Sequence, residues 1–468
     1  MNRWSVLPCA ALSSGKATLL IATCLALAGS PAFAQASRSP VPNPPSTIVA
    51  SPAVQPSDQG TDPFIRYDRL AMQGWERSLP KSEDTIVGDK LGIRDALADA
   101  GIGFIVFANN SFQYNVLQDD RRYRGPQVYN GQRFTRTIDS VTLFSTYDLG
   151  RLGLDGGQLI LSAFYSTNSL RSIDGPSSTR IGRLAYYQPL FNKRIEIKIG
   201  YFDNAYEYLG TQTGGSFAGG TLGPQASVLN EVGLSYSGLG TPAANLRVNF
   251  KNHVYVKVGV QRSLPPGGAT PEVAANPSGL RFAVPNSGVL TIAEGGWDRP
   301  ASSGTPSTWI RFGGIYNTTK FDRFSGGKSA DNWAAYAAVD RQIIQSDPSK
   351  PSRGYYAGVT FNYAPPAQSF VSQYYEARIY GVGVLAKRPF DLASLVATAD
   401  AYSASGLAAR TAPAQKNFKA TYAIVASYAY RLAPGLYLQP GIGAVVHPVY
   451  SPRLNTALNT YLLLSMFL

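Results

Sequence analysis

The stretch KRIEIKIGYF, Lys193 to Phe202, alternates in hydropathy with hardly an exception. In an extended chain Ile195, Ile197, Ile199 and Tyr201 fall on one side, and Arg194, Glu196 and Lys198 fall on the other. Such a strand is dry on one face and wet on the other. The same pattern returns in HVYVKVGVQ, where Val254, Val256, Val258 and Val260 oppose Tyr255, Lys257 and Gln261. In NLRVNFK, Leu246, Val248 and Phe250 oppose Asn245, Arg247, Asn249 and Lys251; in WIRFGGIYN, Ile310, Phe312 and Tyr316 oppose Trp309, Arg311 and Asn317. Turn signals such as Leu154-Asp155-Gly156-Gly157, Pro285-Asn286-Ser287-Gly288 and Ala433-Pro434-Gly435 separate these segments.

Where the dry faces point follows from the rest of the chain. Sixteen to eighteen such segments follow Gly101, at about 23 residues per strand and connection, which suits membrane-crossing strands of roughly ten residues. A soluble β-sandwich of this length would need several domains with linkers, and its wet faces would carry more charge than the 15% of the 468 residues found here. A closed barrel pairs every backbone group, turns its apolar face to lipid and its polar face to a water-filled lumen. The expected fold is therefore all-β, a transmembrane antiparallel β-barrel of about 16 strands, with 18 the upper count, preceded by a short N-terminal helix. Tyr147, Tyr165, Tyr201, Tyr316, Tyr363 and Tyr437 are expected near the lipid-water boundary.

The N-terminal region divides into three parts ahead of a barrel at residues 101–468. Residues 1–34 read as a signal peptide: Arg3 and Lys16 precede the apolar run Ala17 to Ala28, and Ala32-Phe33-Ala34 forms a small-x-small cleavage site. Both cysteines, Cys9 and Cys24, fall inside it, so the exported chain is expected to hold no disulfide and no thiolate metal site. Residues 35–63 are rich in Pro, Ser and Ala and read as a disordered tether. Within residues 64–100, Asp89 is placed to cap a short helix with Ile93, Ala96, Leu97 and Ala100 on its apolar side and Gly101 as its stop. In the last segment, NTYLLLSMFL, Leu462, Leu464, Met466 and Leu468 alternate with Tyr461, Leu463, Ser465 and Phe467, as expected of a closing strand read by barrel-assembly machinery.

The formal net charge is +13. Export makes nucleic acid an unsuitable partner, which leaves a membrane surface or a positive interior to account for the excess. His253 and His447 lie far apart with no metal-ligand spacing, and no G-x-S-x-G elbow occurs, so neither a metal, a cofactor nor an enzymatic activity is expected.

Several blocks resemble the carbohydrate-selective porins of the OprB family. Gly88-Asp89-Lys90-Leu91-Gly92-Ile93-Arg94, followed by Ala96-Leu97 and Gly101-Ile102, is similar to the family's GDWGGLR motif and its helix, with Lys90 and Leu91 departing from it. Ile195 to Asp203 resembles the family's LxLGKxD strand. SGVLTIAEGGWDRP, STWIRFGGIYNTTKF and AAYAAVDRQI resemble three successive strands, and the segment Gly354 to Asp391 the hairpin that follows. LAPGLYLQPGIGAVVHP resembles the closing PxLxLQPDxQYxxHP, with Gly441 in place of the Asp.

The resemblance implies a sixteen-stranded barrel, narrowed by inward loops, in the bacterial outer membrane, through which monosaccharides and related polyols diffuse into the periplasm. A sugar constriction needs paired donors and acceptors for hydroxyls and flat apolar rings. Arg183, Arg194, Glu196, Lys198, Arg311, Glu376 and Arg378 are the candidate lumen-facing charges, and Tyr187, Trp297 and Trp309 the candidate stacking rings. Any one of these charges could equally be solvated barrel wall. The Gly-rich Gly210 to Gly220 could be a loop folded into the pore or an external one. An anion pore for organic acids or phosphate-like solutes remains an alternative, motivated by the positive charge, as does a structural or surface-attachment barrel. The partners expected are outer-membrane lipid, sugar solutes and the assembly machinery, with the barrel a monomer or a homotrimer.

Overall fold

A computed structural model describes residues 64–468, except 77–78, 91, 118–133, 169–176, 210–227, 237, 412–415 and 453–454, and the side chains of 134–140 and 168. The signal peptide, the tether and Gly210 to Gly220 lie outside the described residues. After the helix Ile93–Asp99 come β1 (Ile102–Asn115), β2 (Phe134–Asp148), β3 (Gln158–Asn168) and β4 (Ser178–Leu190). β5 (Ile195–Phe202), β6 (Thr241–Asn249), β7 (Val254–Arg262) and β8 (Val289–Arg299) continue the sheet. β9 (Thr308–Phe321), β10 (Ala330–Gln345), β11 (Gly354–Tyr363) and β12 (Val371–Val382) follow. β13 (Leu392–Tyr402), β14 (Ala420–Ala433), β15 (Leu436–Val446) and β16 (Thr456–Phe467) complete it. Each strand pairs with the next, and β1 pairs with β16, so the sheet closes into a barrel of sixteen strands. Closure leaves no sheet edge, which is what a chain surrounded by hydrocarbon requires.

The dry face points outward. Ile199, Leu246, Val256, Val260, Ile310, Ile379 and Ile424 are exposed, and Phe312 reaches 64% exposure. A contiguous apolar band of this kind is stable against lipid and not against water. The opposite positions, Lys198, Tyr255, Lys257, Gln261, Arg311 and Asn317, are buried on the lumenal side. Among the expected interfacial tyrosines, Tyr165 and Tyr316 are exposed, and Tyr363 packs against Trp333 at 5.4 Å. Tyr437 does not belong to that set: it is 3% exposed and donates a hydrogen bond to Asp84 inside the barrel.

The opening strand is shorter than its pattern. Phe191, Asn192 and Lys193 all have positive φ, near 52°, 56° and 60°, and close the β4–β5 hairpin as a tight turn. Arg194 therefore sits exposed in that turn and not on β5. At the N-terminus, Asp89 Oδ1 accepts from the backbone N–H groups of Arg94 and Asp95, at 3.0 and 3.2 Å, as expected of a helix-start acceptor. The buried face is different from the one expected: Arg94 and Ala98 are buried and Ile93 is exposed. Arg94 wins because its guanidinium finds the carbonyls of Gly88 and Phe104 and the hydroxyl of Thr85.

Two elements enter the lumen. The β5–β6 connection carries Tyr208, Leu209, Val228, Leu229, Val232 and Leu234, which pack on Leu290, Ile292, Ile315, Ala334 and Ala338 of the inner wall. Apolar residues on the lumenal side of β8 to β10 break the usual outward-apolar rule because the folded loop, not water, is their neighbour. The N-terminal segment enters from the end of the barrel that carries the short turns. Thr146 and Gln158 donate to the carbonyls of Leu70 and Ala71. Asp84 accepts from the Arg431 side chain and from Gly435 N–H, both near 2.9 Å or less, and Ile86 N–H donates to Phe467 O at 2.8 Å. The segment thereby spans the β1–β16 seam, where Phe467 is fully buried and stacks on Phe107 at 4.9 Å.

Candidate functional site in the barrel lumen

Inward-pointing positions of β4 to β12 form a belt of paired charges. Arg183 binds Asp203, Lys198 binds Glu207 at 2.7 Å, and Lys257 lies 2.7 Å from both Glu76 and Glu294. Arg247 reaches Glu76 at 2.8 Å and Glu196 at 3.7 Å. Further round, Asp340 accepts from Arg311 at 3.0 Å and from Arg378 at 2.6 and 2.8 Å, and Arg378 also holds Glu376. Charges this buried persist only with such partners.

Much of the belt fastens the inward loop. Glu294 accepts from Leu209 N–H at 2.7 Å, Arg311 donates to Leu209 O, and Lys257 donates to Glu207 O at 2.5 Å. Asn317 donates to Val232 O, and Glu231 of the loop accepts from Phe370 and Val371 N–H groups. These groups are committed to protein partners.

The part that faces open space lies between β4 to β7 and the N-terminal segment. Gly74, Trp75, Glu76, Tyr187, Glu196, Lys198, Asn245, Arg247 and Lys257 surround a cavity of about 230 Å³. At ~30 Å³ per water this is the scale of one hexose ring. Tyr187 donates to Glu196 at 2.6 Å, and Asn249 donates to the other Glu196 oxygen at 2.7 Å. Arg247 stacks on Tyr255 at 4.4 Å, and Arg183 on Trp75 at 4.4 Å. Gly74 has a φ of +67°, and a Cβ there would lie 2.4 Å from the Tyr187 ring. That approach lets Lys198 bind the Gly74 carbonyl and brings Glu76 over Arg247.

Two of the carboxylates contributed from outside the strands titrate in opposite directions. Burial pushes Glu76 up, but Lys257 and Arg247 outweigh it and hold the group below the usual glutamate range. Burial pushes Glu207 above that range, and Lys198 only partly offsets it.

The sequence-predicted residues separate accordingly. Tyr187, Glu196 and Lys198 meet at the cavity. Arg183 lies beside it, paired with Asp203. Arg311, Glu376 and Arg378 are lumenal but sit in the Asp340 network, and Trp309 covers Arg311 at 3.7 Å while donating to Tyr255. Arg194 is exposed in the hairpin turn. Trp297 corrects the expectation for a stacking ring: it pairs in register with Val254 and Ile310, both exposed on the outward face, and donates to the Asn252 carbonyl at the short-turn end. Its indole has the position of an interfacial anchor. Arg247, Lys257 and Asn245 were present in the quoted alternating strands as wet-side residues. Glu76, Trp75 and Glu207 lie outside periodic segments, where no pattern marks them.

Comparison with known proteins follows the same lines. The family model described as carbohydrate-selective porin, OprB family, matches residues 154–462. A solved structure of Pseudomonas putida OprB at high pH is 16% identical with a TM-score of 0.66, covering 82% of this chain and 99% of that one. The low-pH structure of the same protein is 14% identical with a TM-score of 0.53, covering 82% and 98%. These likenesses bear on the fold. Among curated protein sequences, none matches the chain.

Proposed function

The chain belongs to the carbohydrate-selective porin, OprB family, and from that footing we propose that it is an outer-membrane pore through which monosaccharides and related polyols diffuse passively into the periplasm. The observation that carries this reading is the charge balance of the cavity. Lys193, Lys198, Arg247 and Lys257 stand against Glu76, Glu196 and Glu207 around it, with Glu294 on Lys257. An anion pore would be expected to leave cations unpaired at its narrowest point; here each of Lys198, Arg247 and Lys257 has a carboxylate partner. The overall positive charge of the chain is therefore not concentrated where a solute would be selected.

Neutral solutes with several hydroxyls suit such a site. Arg247, Lys198 and Asn245 donate, Glu196 accepts, and Trp75 supplies a ring beside them, while the buried Tyr187 holds Glu196 in place. Because the cations are already paired, a hydroxyl exchanges one hydrogen bond for another, so binding stays weak enough for exit. The protein needs no chemistry for this role. The end with short turns, where the N-terminal segment enters, would face the periplasm, and the longer loops the exterior.

Swelling of proteoliposomes tests the reading. Glucose and similar monosaccharides should enter faster than disaccharides and faster than gluconate of nearly equal size. Equal rates for glucose and gluconate would remove the sugar reading, and faster gluconate entry would favour the anion pore.

A further inference from the structure

We infer that Glu76, delivered into the lumen by the N-terminal segment and not by any barrel strand, sets the solute class of the pore, holding it to neutral solutes. The inference deepens the proposed sugar-pore reading and rests on it for the identity of the solute. Its central element, the sign of the field in the cavity, is independent of any sugar.

Glu76 Oε1 receives Arg247 Nη1 at 2.8 Å and Lys257 Nζ at 2.7 Å, so one carboxylate bridges two strands' cations. The remaining partners of these cations are unequal substitutes. Lys257 keeps Glu294 at 2.7 Å, whereas Arg247 keeps only a neutral acceptor, Asn249 Oδ1 on its Nε at 2.7 Å, and Glu196 at 3.7 Å, and Glu196 is already engaged by Tyr187 and Asn249. Removing the Glu76 charge thus leaves Arg247 with an open guanidinium edge toward the cavity, on the side where a solute would sit. A guanidinium in that state is a fork for carboxylate or phosphate. The wall of the barrel alone is an anion site, and the inserted segment converts it into a balanced one.

The placement of the segment supports this role. Gly74 lies against Tyr187, Lys198 binds the Gly74 carbonyl, and Glu76 N–H donates to Tyr206 O at 3.2 Å. Trp75 packs on Phe144 at 5.5 Å and on Tyr206 at 5.3 Å. Glu76 is therefore held by its own N–H and by the two residues before it, with a side chain only 11% exposed, and burial in this setting strengthens its effect on a passing ion.

The test is the reversal potential of single channels in a salt gradient, without sugar. Glu76→Gln keeps size and hydrogen-bonding shape and should raise the anion-to-cation permeability ratio several-fold, with gluconate entry rising in parallel. Arg247→Gln removes the partner instead and should move the ratio the other way. The double variant should return close to the starting value. The opposite sign of Arg247→Gln is readable even where Glu76→Gln fails to assemble. Unchanged reversal potentials in both single variants, or a shift of the same sign in both, would overturn the inference. If sugars fail to permeate while the two shifts appear with opposite signs, the sugar reading falls and the role of Glu76 in fixing the charge stands.

Discussion

The lumen has two unlike walls. From β4 to β12 the inward positions carry Arg183, Lys198, Arg247, Lys257, Glu294, Arg311, Asp340 and Arg378, paired with one another and with the two inserted elements. From β13 round to β3 the described inward positions are almost uncharged: hydroxyls and amides such as Ser394, Thr398, Ser427, Gln439, Asn459, Thr142 and Ser162 alternate with apolar residues such as Val396, Val425, Ile160 and Phe164, and Asp400 is the acidic exception. Both walls turn their exposed apolar residues outward, and both carry inward apolar residues where other parts of the chain cover them. The charged wall does more than solvate a lumen: it fastens the β5–β6 loop and positions the Glu76 carboxylate. On the proposed reading, selectivity arises where a wall's polar groups have partners from a different part of the chain.

That comparison can be broken in several ways, and the largest effect is expected at Arg311. Arg311→Ala removes a buried partner of Asp340 and the donor to Leu209 O. Loss of one partner of a buried pair costs about 3 kcal/mol, and the freed loop should raise single-channel conductance. Urea unfolding in detergent and bilayer recording measure the two halves. An unchanged conductance would show that the loop is held by its other contacts without Arg311.

At the cavity, Glu196→Ala should weaken block of the current by glucose about tenfold, the effect of a hydrogen bond to a charged group worth roughly 1.5 kcal/mol. A smaller effect is expected from acid. As pH falls, Glu207, raised by burial, takes up its proton before ordinary glutamates do, while Glu76, held low by Lys257 and Arg247, remains ionised. The lumen then gains one positive charge, so anion selectivity should rise as pH falls, starting above the range where an ordinary glutamate titrates, and Glu207→Gln should flatten that rise. On the neutral wall, Ser427→Ala removes a hydrogen bond with Ser394 at a cost of about 1 kcal/mol and should leave both conductance and sugar block as they were.

The fold was written plainly in period-two hydropathy, because a strand between lipid and water must alternate. That is why Lys257, Arg311 and Asn317 fell on the correct face. The pattern gave out where a tertiary neighbour replaced water or lipid. Leu290 and Ile292 face inward because a loop covers them, and Arg94 is buried because three acceptors await it. Trp297 was misplaced because its ring chemistry suits a sugar as well as an interface, and only the register with Val254 and Ile310 decides. Glu76 could not be found by periodicity, since its position depends on a segment folding back into a barrel formed by residues far along the chain.

On the proposed reading, selection occurs at the charged wall beside the N-terminal segment. Glucose titration of the single-channel current in Glu196→Ala and Ser427→Ala, side by side with the unmodified protein, tests it most directly. The expected result is a roughly tenfold weaker block in Glu196→Ala and an unchanged block in Ser427→Ala. Equal block in all three proteins, or a loss confined to Ser427→Ala, would contradict the account and move the constriction to the opposite side of the barrel.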